Sequence, residues 1–118
     1  MLKALRSYIT CLRSSKMLGR ADSFINAGKK HEAEAMLRES LRLLSKPCVV
    51  RHNPAEMSLI VTSTMRLEEL AAERGVIGAS NSDIADSLNF LKEFGNKNSP
   101  IENHEQWLSY FQYRVNQG

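Results

Sequence analysis

At 118 residues the chain suits one domain and can build a core without disulfide or metal staples, which become necessary below about 40 residues. Its 42% hydrophobic and 25% charged content excludes wholesale disorder, and no stretch approaches the ~20 apolar residues of a membrane-spanning helix. The net charge of +3 conceals an asymmetry: residues 1–52 hold eleven Lys or Arg against four acids, residues 53–118 five against nine. Such a chain steers an acidic partner to its first half and repels it from its second.

The first predicted helix runs from about Leu2 to the region of Asn26. Ala4, Leu5, Tyr8, Cys11, Leu12 and Leu18 share one arc at about 100° per residue, which predicts a core-facing stripe. Lys3, Arg6, Arg13, Lys16 and Arg20 fall on the opposite arc, facing water or a partner. Gly19 predicts a bend or break, since glycine costs about 1 kcal/mol relative to alanine inside a helix. The segment holds no acid before Asp22, a composition shared with mitochondrial transit peptides. It runs on into a helix with structural spacing, however, and the two cysteines, Cys11 and Cys48, fit thiols in a reducing cytoplasm.

Gly28 ends that helix, and a second follows from about His31 to Ser45, closed by Pro47. Ala33, Met36, Leu37, Leu41 and Leu44 recur at helical spacing, and Glu34 stands four residues before Arg38, the favourable order for an ion pair. Asn53-Pro54-Ala55-Glu56 is the clearest helix start, with a cap, a first-turn proline and a returning glutamate. The third helix should run to Arg74 and stop at Gly75. Ser80 or Ser82 caps a fourth, with Ile84, Ala85, Leu88, Leu91 and Phe94 inward. Ser99-Pro100-Ile101-Glu102 predicts the start of a last helix that carries Ile101, His104, Trp107, Leu108, Phe111 and Val115 on one side. Strand signals are too short to build a sheet. The expectation is an all-α, compact bundle of five helices in one domain.

Between Met17 and Pro47 the chain resembles a single tetratricopeptide-type hairpin. Ala21 and Phe24 match on the first helix, Gly28 in the turn, and Ala33, Leu37, Ser40 and Leu41 on the second. Small residues at Ala21, Ala33 and Ser40 would let two antiparallel helices approach closely. Met17 stands where that family places a large aromatic, Arg20 where it places leucine, and Pro47 falls about two residues late. The likeness covers about a quarter of the chain and has no second copy. It implies protein binding without catalysis, although a lone repeat cannot form the family's extended groove.

Chemistry-bearing motifs are missing from the sequence. His31-Glu32-Ala33-Glu34-Ala35 begins like a zinc-protease helix, but Ala35 stands where the second histidine must be. His104 shares a stripe with Trp107 and Phe111 and is expected to pack or cap. Neither cysteine has a partner at metal spacing, and no phosphate loop or nucleophile elbow occurs. No enzyme activity, cofactor, metal or membrane partner is expected.

Function then falls to surfaces. The expectation is a protein-binding module that occludes or holds a partner, such as a bacterial immunity protein, an antitoxin or a secretion chaperone, the partner being a toxin or secreted effector. A basic partner would dock on Glu68, Glu69, Glu73, Asp83 and Asp86, and an acidic one on Arg6, Arg13, Lys16 and Arg20. Tyr110 and Tyr113 are candidate aromatic contacts, with Trp107 and Phe111 in the core. RNA or DNA binding through the basic half is the alternative, and self-association through the aromatic C-terminus a further one.

Overall fold

The computed structural model describes residues 2–45, 54–75, 78–94 and 103–117. It has five helices: α1 (Leu2–Asn26), α2 (Lys30–Leu44), α3 (Pro54–Arg74), α4 (Asn81–Phe94) and α5 (His104–Gln117). No strand occurs among the described residues, so the expected all-α bundle is the fold. The caps expected at Asn53 and at Ser99–Glu102, together with Cys48 and His52, lie outside the described residues.

Local chemistry explains the helix ends. Gly28 takes φ +78°, and the amides of Gly28 and Lys29 donate back to the carbonyls of Ile25 (3.1 Å) and Phe24 (2.8 Å). That pair of bonds is a Schellman stop, and it satisfies two orphan carbonyls of α1. Gly75, at φ +68°, ends α3 in a similar way, its amide on the Ala72 carbonyl at 3.2 Å. Of the two serines expected as caps for α4, Ser80 is the one used: its hydroxyl accepts the Asp83 amide (3.2 Å) and donates to the Asp83 carboxylate (3.0 Å). His104 donates from Nε2 to the Leu91 carbonyl at 3.2 Å, so it caps the end of α4 from the first residue of α5.

The core is one cluster to which every helix contributes, with Ala21, Leu37, Ile60, Ile84 and Phe111 from α1 to α5 in turn. Helices pack chiefly on their neighbours in sequence. Two cross-links show that α2 runs antiparallel to α3: Ser40 meets Ser63, and Lys30 meets Glu73 at 2.6 Å. Trp107 and Phe111, expected inside, pack against the core, Phe111 fully buried and Trp107 half-buried.

Helix α1 corrects two expectations. It runs unbroken through Gly19, a cost of about 1 kcal/mol that a helix of 25 residues absorbs. More important, the predicted core stripe does not face the core. Leu5, Tyr8 and Leu12 are exposed, Cys11 and Leu18 are half-buried, and the residues turned inward are Ser7, Thr10, Ser14 and Ala21. The side chain of Ala4 lies outside what is described.

The reason is close approach. Ser14 Oγ lies 2.5 Å from Ser40 Oγ, and Ser40 Oγ lies 3.3 Å from Ser63 Oγ, all three buried. A serine reaches one atom past Cβ, so hydroxyls can meet only where backbones nearly touch. Ala21 and Ala33, both fully buried, permit the same approach nearer the turn. Leucines on that face would hold the helices apart.

Packing this tight predicts a sharp size dependence. Ser40→Leu should destabilise the fold by about 1–3 kcal/mol through overpacking, and Ser40→Ala by about 1 kcal/mol through lost hydrogen bonds. Thr64 Oγ1 is buried with no hydrogen-bond partner among the described residues, so Thr64→Val should instead stabilise by about 1 kcal/mol. Urea titrations of the three variants read both signs.

Candidate interaction surface

The acidic half of the chain turns much of its charge inward. Glu68 on α3 is only 4% exposed. Its Oε1 accepts the Ala79 amide at 3.0 Å, and its Oε2 accepts Tyr110 Oη at 2.7 Å and Arg114 Nη1 at 2.8 Å. Arg114 also donates to Tyr110 Oη at 2.9 Å, closing a triangle. One carboxylate thus ties α3 to α5 and to the segment leading into α4. That segment passes so close that a Cβ on Gly78 would stand 3.2 Å from the Glu68 carboxyl carbon and from the Leu67 carbonyl.

Glu34 plays a like part on α2, accepting Arg38 at 3.0 Å, as its i, i+4 spacing predicts, and Arg74 at 2.8 Å. Glu73 pairs with Lys30, and Asp22 with Arg66. Of the five acids expected to form a docking face, Glu68 has no surface to give, Glu73 is paired, and Asp83 is engaged with Ser80. Glu69 is exposed and Asp86 half-buried. The structure does not bring the five together as one open acidic patch.

The aromatic candidates divide. Tyr110 is half-buried and held by Glu68, while Tyr113 is exposed. A shallow groove of about 260 Å³ lies beside Tyr110, lined also by Glu68, Glu69, Ala72 and Trp107. Another, of about 340 Å³, is lined by Arg38, Arg42, Ser80 and Asp83 among others. Its arginines already serve carboxylates, Arg38 that of Glu34 and Arg42 that of Glu39, so the groove offers little to an anion.

The basic candidates behave differently. Arg6, Arg13, Lys16 and Arg20 are all exposed on α1 and make no ion pair among the described residues. Beside them stand Leu2 (69% exposed), Leu5 (54%), Tyr8 (62%), Ile9 (46%) and Leu12 (45%). These five occupy about a third of the helix circumference, opposite the Ser7, Thr10 and Ser14 face. Most large apolar side chains exposed in the described structure therefore lie on one half of one helix. Leu2 and Ile9 belong to this surface although the predicted stripe left them out. The signal that finds them is the 2, 5, 9, 12 spacing.

Among the described residues no group of three or more His, Cys, Asp or Glu could hold a metal ion. No helix among them is long and apolar enough to cross a membrane. Compared with known proteins, the chain matches no protein family, no curated relative and no solved structure.

The Glu68 triangle yields a stability prediction with a pH signature. Burial first, then the hydrogen bond to Glu68, raises the Tyr110 hydroxyl above its usual value near 10. For Arg114, burial works to lower the guanidinium, but its bonds to Tyr110 and Glu68 outweigh it and the net shift is upward. A raised folded-state value means the stabilisation is present below pH ~10 and disappears as pH climbs through the folded value of Tyr110. Glu68→Ala should cost about 3–5 kcal/mol, because Arg114 is left partly buried without its partner. Chemical denaturation from pH 8 to 11.5 should show stability falling above pH ~10 in the native chain, and falling less in Tyr110→Phe.

Proposed function

We propose that this protein is a non-catalytic binding module that holds or occludes a partner protein through the outer face of α1. The observation that carries this reading is the coincidence, on one side of α1, of five exposed apolar side chains and four cations that make no ion pair among the described residues. Apolar clusters of this kind, rimmed by polar groups, mark interaction sites, since water contact with them is unfavourable and a partner relieves it. The cations give the partner its sign: it presents acidic groups there.

Among the described residues, the basic face carries the largest run of exposed apolar side chains, and its cations make no ion pair there. Nucleic-acid binding uses the same cations, but phosphates gain nothing from an intervening row of Leu and Ile side chains. The tetratricopeptide-like hairpin of α1 and α2 fits a role in protein binding, and the size of the chain suits an immunity protein, antitoxin or secretion chaperone. Such proteins act by covering a partner's active or sticky surface.

The test is quantitative affinity capture with the folded chain as bait. A Leu5→Ser, Ile9→Ser variant should lose about 3 kcal/mol of contact energy, more than about a hundredfold in affinity, for a polypeptide the native chain retains. A Glu69→Gln, Asp86→Asn variant should capture it unchanged. Capture of nuclease-sensitive material that both variants retain equally would contradict the reading.

A further inference from the structure

We propose that the occupant of this face is an acidic amphipathic helix, which lies along the N-terminal half of α1 in coiled-coil fashion. The inference rests on the binding role proposed above and adds the chemistry of the partner. Its ground is the register of the exposed residues. Leu2, Leu5, Ile9 and Leu12 follow the alternating three- and four-residue spacing of heptad positions a, d, a and d. Ile at an a position with Leu at d is the pairing that favours a two-helix seam. Each residue of the set is exposed, so the seam is formed and open.

The flank is equally regular. In the same register Arg6, Arg13 and Arg20 all occupy position e, the row next to the seam from which partner choice is made. Tyr8 lies on the opposite flank. A partner helix facing that row needs Asp or Glu at its own flanking positions. Of the helix formers, glutamate meets the requirement best, because it extends far enough to reach a guanidinium across the seam.

A second copy of this chain fits poorly. Antiparallel, the e rows would set arginine against arginine; parallel, Lys16 at a would face its own copy inside the seam. The seam is also short for a pair of identical subunits, since a stable interface engages about 20–30 residues a side. An anionic lipid surface would also draw apolar and basic groups, but it asks only that they lie on one side of the helix and sets no heptad register. The stacking of the fold points the same way. Helices in this fold pack on their sequence neighbours, and the outer face of α1 is open to a further helix stacked in the same manner.

The probe is a synthetic three-heptad peptide with Ile at a, Leu at d and Glu at e and g, compared with its Lys counterpart by fluorescence anisotropy. The folded chain should bind the Glu peptide at least about tenfold more tightly than the Lys peptide. Leu5→Ser, Ile9→Ser should abolish binding. Arg6→Glu, Arg13→Glu, Arg20→Glu should reverse the preference, which loss of folding could not do. Circular dichroism confirms that each variant keeps its helices.

No preference between the peptides, or binding unaffected by either variant, overturns the proposal. So does association with phosphatidylserine–phosphatidylcholine vesicles without binding of the Glu peptide. Should the peptide fail while a captured partner still depends on Leu5 and Ile9, only the helical, acidic chemistry is lost. Should both fail, the binding role of this face falls with it.

Discussion

The contact between Ser14 and Ser40, extended to Ser63, sets the rotation of α1 about its axis, and the character of the molecular surface follows from that rotation. Hydroxyls 2.5 Å apart require backbones in close approach, so the small, polar side of α1 must be the buried side. Once it is, Leu2, Leu5, Tyr8, Ile9 and Leu12 have nowhere to go but outward. A helix that turns serine inward and leucine outward gives up apolar burial within its own chain. That cost makes sense if another molecule supplies the burial, since about 25 cal/mol is gained for each Å² of apolar surface removed from water.

The charges divide along the same line. Three acids are engaged away from the cations of α1: Glu34 with Arg38 and Arg74, Glu68 with Arg114 and Tyr110, Glu73 with Lys30. Glu68 is the pivot among these, because it reaches three elements at once and its loss would strand a half-buried guanidinium. The interior network holds α2, α3 and α5 in place, while Arg6, Arg13, Lys16 and Arg20 stay at the surface without counter-ions from the described chain. The buried acids of the body are thus matched by arginines, while the cations along α1 are not matched among the described residues.

The helices themselves were legible from the sequence because their ends are written in single residues. Gly28, Gly75, Pro54 and Ser80 stop or start elements where local chemistry demands it. The Glu34–Arg38 pair and the inward placement of Phe111 were legible for the same reason, spacing along one helix. The candidate site was not. Periodicity shows which residues of α1 share a face, and says nothing of which face the chain itself will cover. That choice was made by Ser40 and Ser63, residues far along the sequence whose small size matters only after three helices have met. The sequence marks Glu68 only as one acid of a docking face, because its partners Tyr110 and Arg114 lie more than forty residues away.

The rotation of α1 is the claim on which the binding role stands, and thiol accessibility measures it most directly. With Cys11 and Cys48 changed to serine, single cysteines placed at Leu5, Ile9 and Ser14 are reacted with a maleimide in the folded chain. The thiols at positions 5 and 9 should react nearly as fast as an unfolded control, and the thiol at position 14 should be protected until the chain unfolds. Fast reaction at 14 with protection at 5 and 9 would mean that the leucine face lies inside, and would contradict both the rotation and the binding role built on it.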